Sequence, residues 1–533
     1  MAPETEAMSA ATLSGLRTVV VGSGWNIFGR GLPLIVAVAV TPILINQLGI
    51  ERWGLFTLAL ALGGMLGILD FGIGRALTRA LAEAIATGRE ADAASLVATA
   101  LALLLPLSLL GAGLGFAAVP WLVNSVLRVT PAMQAEVITA FRILAASAPL
   151  IVVNVTLHGV AAAYQRFRAV NLLAMPVSAA YFVGPALLLL LWDSLAAVML
   201  VFVACRLAYT IVCGVIALRL VPGLRRGARP RLVFLPLLVR IGAWITLSNM
   251  LTPLLLYADR FLIAALLPLT AVAYYATPFD LVTRFTILPM AVTGSFFPAV
   301  AASYLTLPER TRALLRQTAA AVAVCCFAAC LVTITGAPEL LNLWLGPDFA
   351  AESGTILRLL AFGIFFGCIG LLVDALLDGT GRPDIGAKLV VLQALVFIPV
   401  SAVGILVLGI EGAALGFALR SVAGCVARVL LSGRVYPPAA GLVPNLLGIV
   451  AAGGVLLPLG MLPLPLVTRS CFAVLLLVGF AALVLRVLLE PGERGRLRQA
   501  WRAARYRGLP HSRRRAATTL PDIIAQGATR DQL

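Results

Sequence analysis

Residues 94–122 read ASLVATALALLLPLSLLGAGLGFAAVPWL and contain no charged side chain. A helix crosses a hydrocarbon core ~30 Å thick with about 20 residues, so this stretch is long enough to span a bilayer. Lipid offers no partner to backbone amides, and a continuous apolar run satisfies them only as a helix. A transmembrane barrel would need short strands of alternating polarity, which this run lacks. The fold class that follows is all-α, a polytopic membrane protein.

The same pattern recurs on both sides of this stretch. Fourteen spans are expected, at 22–46, 54–76, 94–122, 137–163, 171–191, 195–218, 236–267, 271–303, 314–335, 356–377, 389–408, 412–431, 443–462 and 466–489. The 533 residues are 61% hydrophobic and 12% charged, about half the charge of a soluble chain. No connection is long enough to fold as a soluble domain; the longest on the outer side is 338–353, PELLNLWLGPDFAAES.

A net charge of +17 would suggest nucleic acid in a soluble protein, but these arginines sit between spans and in the C-terminal tail. Connections after even-numbered spans hold seventeen Arg and Lys, from Arg75 to Arg434; those after odd-numbered spans hold only Arg52, Arg128 and Arg469. The positive-inside rule places the first set, and therefore both termini, in the cytoplasm. Anionic membrane lipids are the expected partners of this charge, and no nucleic acid is. The tail from Glu490, with Trp501 and Tyr506 among its arginines, reads as an interfacial helix or a disordered basic extension. No cleavable signal peptide is expected at the N-terminus. All eight cysteines fall in apolar runs and read as packing residues, with neither a disulfide framework nor a metal site. No cofactor and no catalytic residue is expected.

The organisation is a tail (1–20), a first lobe of six spans (21–218), a basic linker (219–235), a second six-span lobe (236–433), two extra spans (442–489) and a basic tail (490–533). An internal repeat runs through it. Pro33 precedes the turn LGIERWG (48–54) by fifteen residues, and Pro253 precedes LPLTAVA (267–273) by fourteen. Two parallel halves about an axis along the membrane normal follow from this arrangement.

Ionisable groups at membrane depth are the strongest pointers to function, because each costs ~3 kcal/mol to place there. In span 1, Asn26, Arg30 and Pro33 share a face, with Arg30 about 12 Å from the inner end. In span 8, Asp280 and Arg284 share a face among Pro278, Pro289 and Pro298, and Arg284 lies ~20 Å from the outer surface. One reading is an inward-open cavity whose guanidinium groups meet a phosphate or pyrophosphate, which their planar forks suit. The other is structural: Arg30 paired with a buried carboxylate, and Arg284 paired with Asp280. Asp70, just before Arg75 and Arg79, tunes an inner gate or ties helices near the interface. Asp259 and Arg260 pair across the lobes or snorkel; Arg206 and Arg420 read as packing or interface residues, with cavity lining as the alternative, and His158 as a hydrogen-bonded core residue. Prolines in spans 1, 7 and 8 kink helices where a rocking motion would use them.

Several stretches together resemble the oligosaccharide or O-antigen flippases, the Wzx-type polysaccharide biosynthesis proteins of the multidrug/oligosaccharidyl-lipid/polysaccharide exporter superfamily. They are LGIERWGLFTLALALGGMLGILDFGIGRAL (48–77), YADRFLIAALLPLTAVAYYATPFDLV (257–282), LLNLWLGPDFAAESGTILRLLA (340–361), DGTGRPDIGAKLVV (378–391) and LGIEGAALGFAL (408–419). The resemblance implies two lobes in a MATE-like V, with spans 1, 2, 7 and 8 lining a central cavity in an inner-membrane protein. It further implies alternating access, an undecaprenyl-pyrophosphate-linked glycan as substrate, and polysaccharide polymerase and glycosyltransferases as partners. Asn26, Arg30, Asp70, Asp280 and Arg284 are the candidate substrate-binding residues. A lipid II flippase is the near alternative. A drug or cation antiporter fits less well, since span 1 carries arginine and no carboxylate. A membrane polymerase or glycosyltransferase would need a large outer loop.

Overall fold

The computed structural model describes residues 35–164, 166–490 and 493, and helices account for nearly all of them. Eleven helical segments among these residues are long and apolar enough to cross a membrane. The difference from the expected fourteen falls at three places. Ile35–Asp70 takes in parts of the expected first and second spans as one segment. The apolar core of the fifth, Met175–Leu188, is shorter than a full crossing. The seventh is the helix that carries Asp259 and Arg260.

The first helix, α1 (residues 35–65), is interrupted at Gly49, whose φ of +77° belongs to the left-handed region that ends helices. Ala37 and Ala61 line one cavity. A straight helix would hold them roughly 36 Å apart, so α1 is two arms folded back on each other. A 3-10 turn at Leu66–Asp70 and left-handed residues Phe71 (φ 47°) and Gly72 (φ 66°) redirect the chain into α2 (Ile73–Ala86). There follow α3 (Ala93–Trp121), α4 (Gln134–Ala146), α5 (Ala148–Ala163), α6 (Phe167–Leu188) and α7 (Leu195–Leu220). The expected fourth span is thus two helices that meet at Ser147. In this first group α5 packs on α2, α3 and α7, while α6 packs on α7.

The second group begins with α8 (Leu235–Leu266). It continues with α9 (Leu269–Thr283), α10 (Ile287–Ser303), α11 (Pro308–Thr335), α12 (Ala337–Leu345), α13 (Pro347–Gly379), α14 (Pro383–Leu408) and α15 (Ile410–Val435). The expected eighth span is broken by a 3-10 turn at Arg284–Thr286. The centre of this group is α13, whose middle (residues 359–373) carries no charge and which packs against α9, α10, α11 and α15. The last two helices, α16 (Val443–Leu459) and α17 (Leu466–Leu488), lie on α11. Helix α8 belongs to both groups. Leu238 in its first turns is buried with residues of α2 and α3, and its later part packs on α14.

The bundle has an arginine-rich end, with the connections at 87–92, 221–234 and 380–382, and an arginine-poor end. At the arginine-poor end the two groups touch at backbone distance. Any Cβ on Gly54 would collide with the carbonyl oxygen of Leu269. The two turns of the internal repeat therefore meet each other, and glycine is what allows it. The Arg128 amide donates to the Ala264 carbonyl (3.1 Å), and Trp344 Nε1 on α12 donates to the Val38 carbonyl (2.8 Å). The connection at 338–353 is thus helical, divided at Gly346 between α12, whose Trp344 meets α1, and the first turns of α13.

Candidate functional site

Both arms of α1 together with α8 and α9 line a cavity of about 180 Å³, with Phe182 of α6 and Trp344 of α12 at its margins. These are the segments carried by the repeat, so its two turns join the groups at one end and its helices wall the space beneath. Trp53 Nε1 donates to Thr277 Oγ1 across the join (2.8 Å), and Trp53 stacks on Phe56. Exposure rises along α9 away from this end. Thr277 is buried, the Asp280 side chain is 40% exposed, and Arg284 is exposed. The cavity is therefore closed at the arginine-poor end and opens toward the other.

Three charged side chains face this cavity: Arg260, Asp280 and Arg284. Arg260 is 1% exposed and ion-paired to Asp280, and it donates to the Thr57 carbonyl of the first group (3.3 Å). Its guanidinium lies 5.3 Å from the ring centroids of both Tyr257 and Phe279, so the cation rests between aromatic faces. Neighbouring Asp259 is also buried. It accepts from the Tyr275 hydroxyl (3.1 Å) and sits 4.0 Å from Arg420, which donates to the Leu255 carbonyl (2.8 Å). Arg284 makes no ion pair with any described residue. The four-residue spacing does place Asp280 and Arg284 on one face, but Arg260 from the preceding helix takes the carboxylate. The reason is tertiary: the turn at Leu267–Pro268 brings α8 back beside α9 and aligns residue 260 with residue 280.

Asp70 lies elsewhere. It is buried and accepts from the Gly74 amide (3.0 Å), where it holds the turn between α1 and α2 against Val155. The cavity lining does not include it. Asn26 and Arg30 fall outside the described residues. Of the two readings of Arg260, snorkelling does not hold: the side chain is buried and reaches the first group through the Thr57 carbonyl. Its signal was the adjacent Asp259, since two opposite charges side by side on an apolar helix point to two different partners.

The profile of the polysaccharide biosynthesis protein family matches residues 17–303, more than half of the chain. A Shigella flexneri protein named for O-antigen transport is 24% identical over 413 residues, which is 76% of this chain and 95% of that one. Among solved structures, the inward-facing form of a multidrug resistance MATE family transporter of the MOP superfamily aligns with a TM-score of 0.65. It is 15% identical, and the alignment covers 78% of this chain and 99% of that one. The lipid II flippase MurJ, in its inward closed conformation, also gives 0.65, at 10% identity over 88% of this chain and all of that one. These likenesses give the fold of the MOP superfamily. The chain belongs to the polysaccharide biosynthesis protein family.

Proposed function

We propose that this inner-membrane protein flips a polyprenyl-pyrophosphate-linked oligosaccharide across the bilayer for polysaccharide export, by alternating access and without covalent chemistry. The observation that carries the reading is Arg284, exposed in a cavity walled by both helical groups, beyond the ion pair of buried Arg260 with part-exposed Asp280. A guanidinium without a carboxylate partner offers a phosphate its full fork of donors. The arginine-rich end and both termini are assigned to the cytoplasm, so the cavity opens inward and its closed end faces out. Residues 21–218 and 236–433 are the units that rock. Separating Trp53 from Thr277 and Gly54 from Leu269 would open the outer side. With the cytoplasm negative, a doubly charged headgroup moving outward gains about 4–5 kcal/mol per 100 mV. Anionic lipids are the partners of the arginine-rich surface, and the enzymes that build and polymerise the glycan are its functional neighbours. Arg30, with Asn26, is assigned to the same cavity from the opposite group.

The test is export in cells lacking the native gene, read as surface polysaccharide, with protein level measured in parallel. Arg284→Gln and Arg30→Gln each abolish export at normal protein level under this reading. Normal export by both variants would overturn it.

A further inference from the structure

The first group contains a second cavity, about 400 Å³, between α5, α6 and α7. Its polar lining is Asn154, Tyr181, Arg206 and Tyr209. Arg206 Nη2 donates to the Tyr181 hydroxyl (3.1 Å), and no described carboxylate lies within ion-pair distance of it. Depth places this arginine level with the central site. Helices α7 and α9 both start at the arginine-poor end: Leu195 is held there by Glu136, which also pairs Arg52, and Leu269 lies against Gly54. Arg206 and Asp280 are each eleven residues further on, about 16 Å along their helices.

The two cavities adjoin. Phe182 lines both, and the Arg206 guanidinium approaches Gly63 of α1, one turn from Leu60, which lines the central cavity. The volume lies in the range of small-ligand sites, roughly 300–1,000 Å³. A fixed cation at mid-membrane depth without a carboxylate is costly to keep, and such groups mark substrate paths. Its remaining donors suit a planar carboxylate, which guanidinium binds bidentately. Two tyrosine hydroxyls and an amide supply donors and acceptors for sugar hydroxyls, and Phe182 supplies an apolar face.

We infer that this cavity is a glycan subsite in which Arg206 reads the carboxylate of an acidic sugar, while the central cavity holds the pyrophosphate. The inference rests on the flippase reading and names its substrate class. The carried oligosaccharide contains a uronic acid or a related carboxylated residue, and Tyr181 positions the guanidinium that recognises it.

The test uses full-length protein in proteoliposomes and two polyprenyl-pyrophosphate-linked disaccharides, one bearing a uronic acid and one its carboxyl-reduced neutral counterpart. Wild type is expected to flip the acidic lipid about tenfold faster. Arg206→Gln brings that ratio close to one, Arg206→Lys leaves it intermediate, and Asn154→Ala lowers it with the arginine intact. An acid-to-neutral ratio near one in wild type overturns the inference and leaves the flippase reading standing. So does a loss of equal proportion on both lipids in Arg206→Gln, which would assign the residue to packing or to the pyrophosphate. If wild type moves neither lipid, the flippase reading fails and the subsite falls with it.

Discussion

Most arginines at depth, buried or half-buried, are satisfied differently in the two helical groups. In the second group Arg260 is matched by Asp280, Arg420 by Asp259 and Arg428 by Asp374 (2.7 Å), while half-buried Arg358 reaches only the Ile334 carbonyl (3.3 Å). In the first group Arg206 rests on a tyrosine hydroxyl and Arg142 lies over the Phe116 ring (4.7 Å); neither makes an ion pair among the described residues. A neutralised pair is framework, because both charges are already satisfied within the protein. An unpaired cation is framework only until an anion arrives. Charge count alone hides this, since both groups carry arginines at depth.

The contrast is exposed to test through stability. Arg420→Leu leaves the Asp259 carboxylate buried beside only the Tyr275 and Ser401 hydroxyls, and a broken buried pair costs about 3 kcal/mol. Thermal unfolding of the solubilised protein should drop by several degrees. An unchanged Tm would show that the second group's pairs are not framework. Replacing Arg260 and Asp280 together by leucine restores most of the stability lost by Arg260→Leu alone, since an apolar pair substitutes for an ionic one.

A smaller effect is expected where the groups meet. Gly54→Val forces a side chain against the Leu269 carbonyl, an overpacking that costs about 2 kcal/mol. It should separate the arginine-poor end, measured as faster labelling of a cysteine at residue 277 by an impermeant reagent. Unchanged labelling would mean that closure there does not depend on this contact. The smallest change is expected for Arg142→Leu in the first group. It removes a cation–π contact and no carboxylate is orphaned, so the loss is under about 1 kcal/mol. A loss as large as that of Arg420→Leu would erase the contrast.

Much of the architecture was legible because membranes simplify the code. Long uncharged runs become helices, and arginine-bearing connections sort to one end. The turns LGIERWG and LPLTAVA, singled out by their similar spacing from prolines, meet each other in the fold. The site was half legible. Asp280 and Arg284 both line the cavity, and the alternative in which they pair with each other gives way to the Arg260–Asp280 pair. Arg142 carried no signal of its own, and Arg206 stood open between packing and cavity lining, since nothing in a helix's own sequence says which neighbour covers its charge. Helix breaks at Ser147 and at Arg284–Thr286 were hidden for a similar reason; their local composition remains apolar and compatible with a continuous span.

By itself, the sequence determined that this is a helical membrane protein, roughly where each helix lies, and that arginines stand at depth. Solvation decides those features, and solvation acts residue by residue along the chain. Only the tertiary structure decided which arginine meets a carboxylate, which faces a cavity, and at which end the two groups close. Those outcomes depend on side chains hundreds of positions apart meeting within a few ångströms, as Trp53 and Thr277 do.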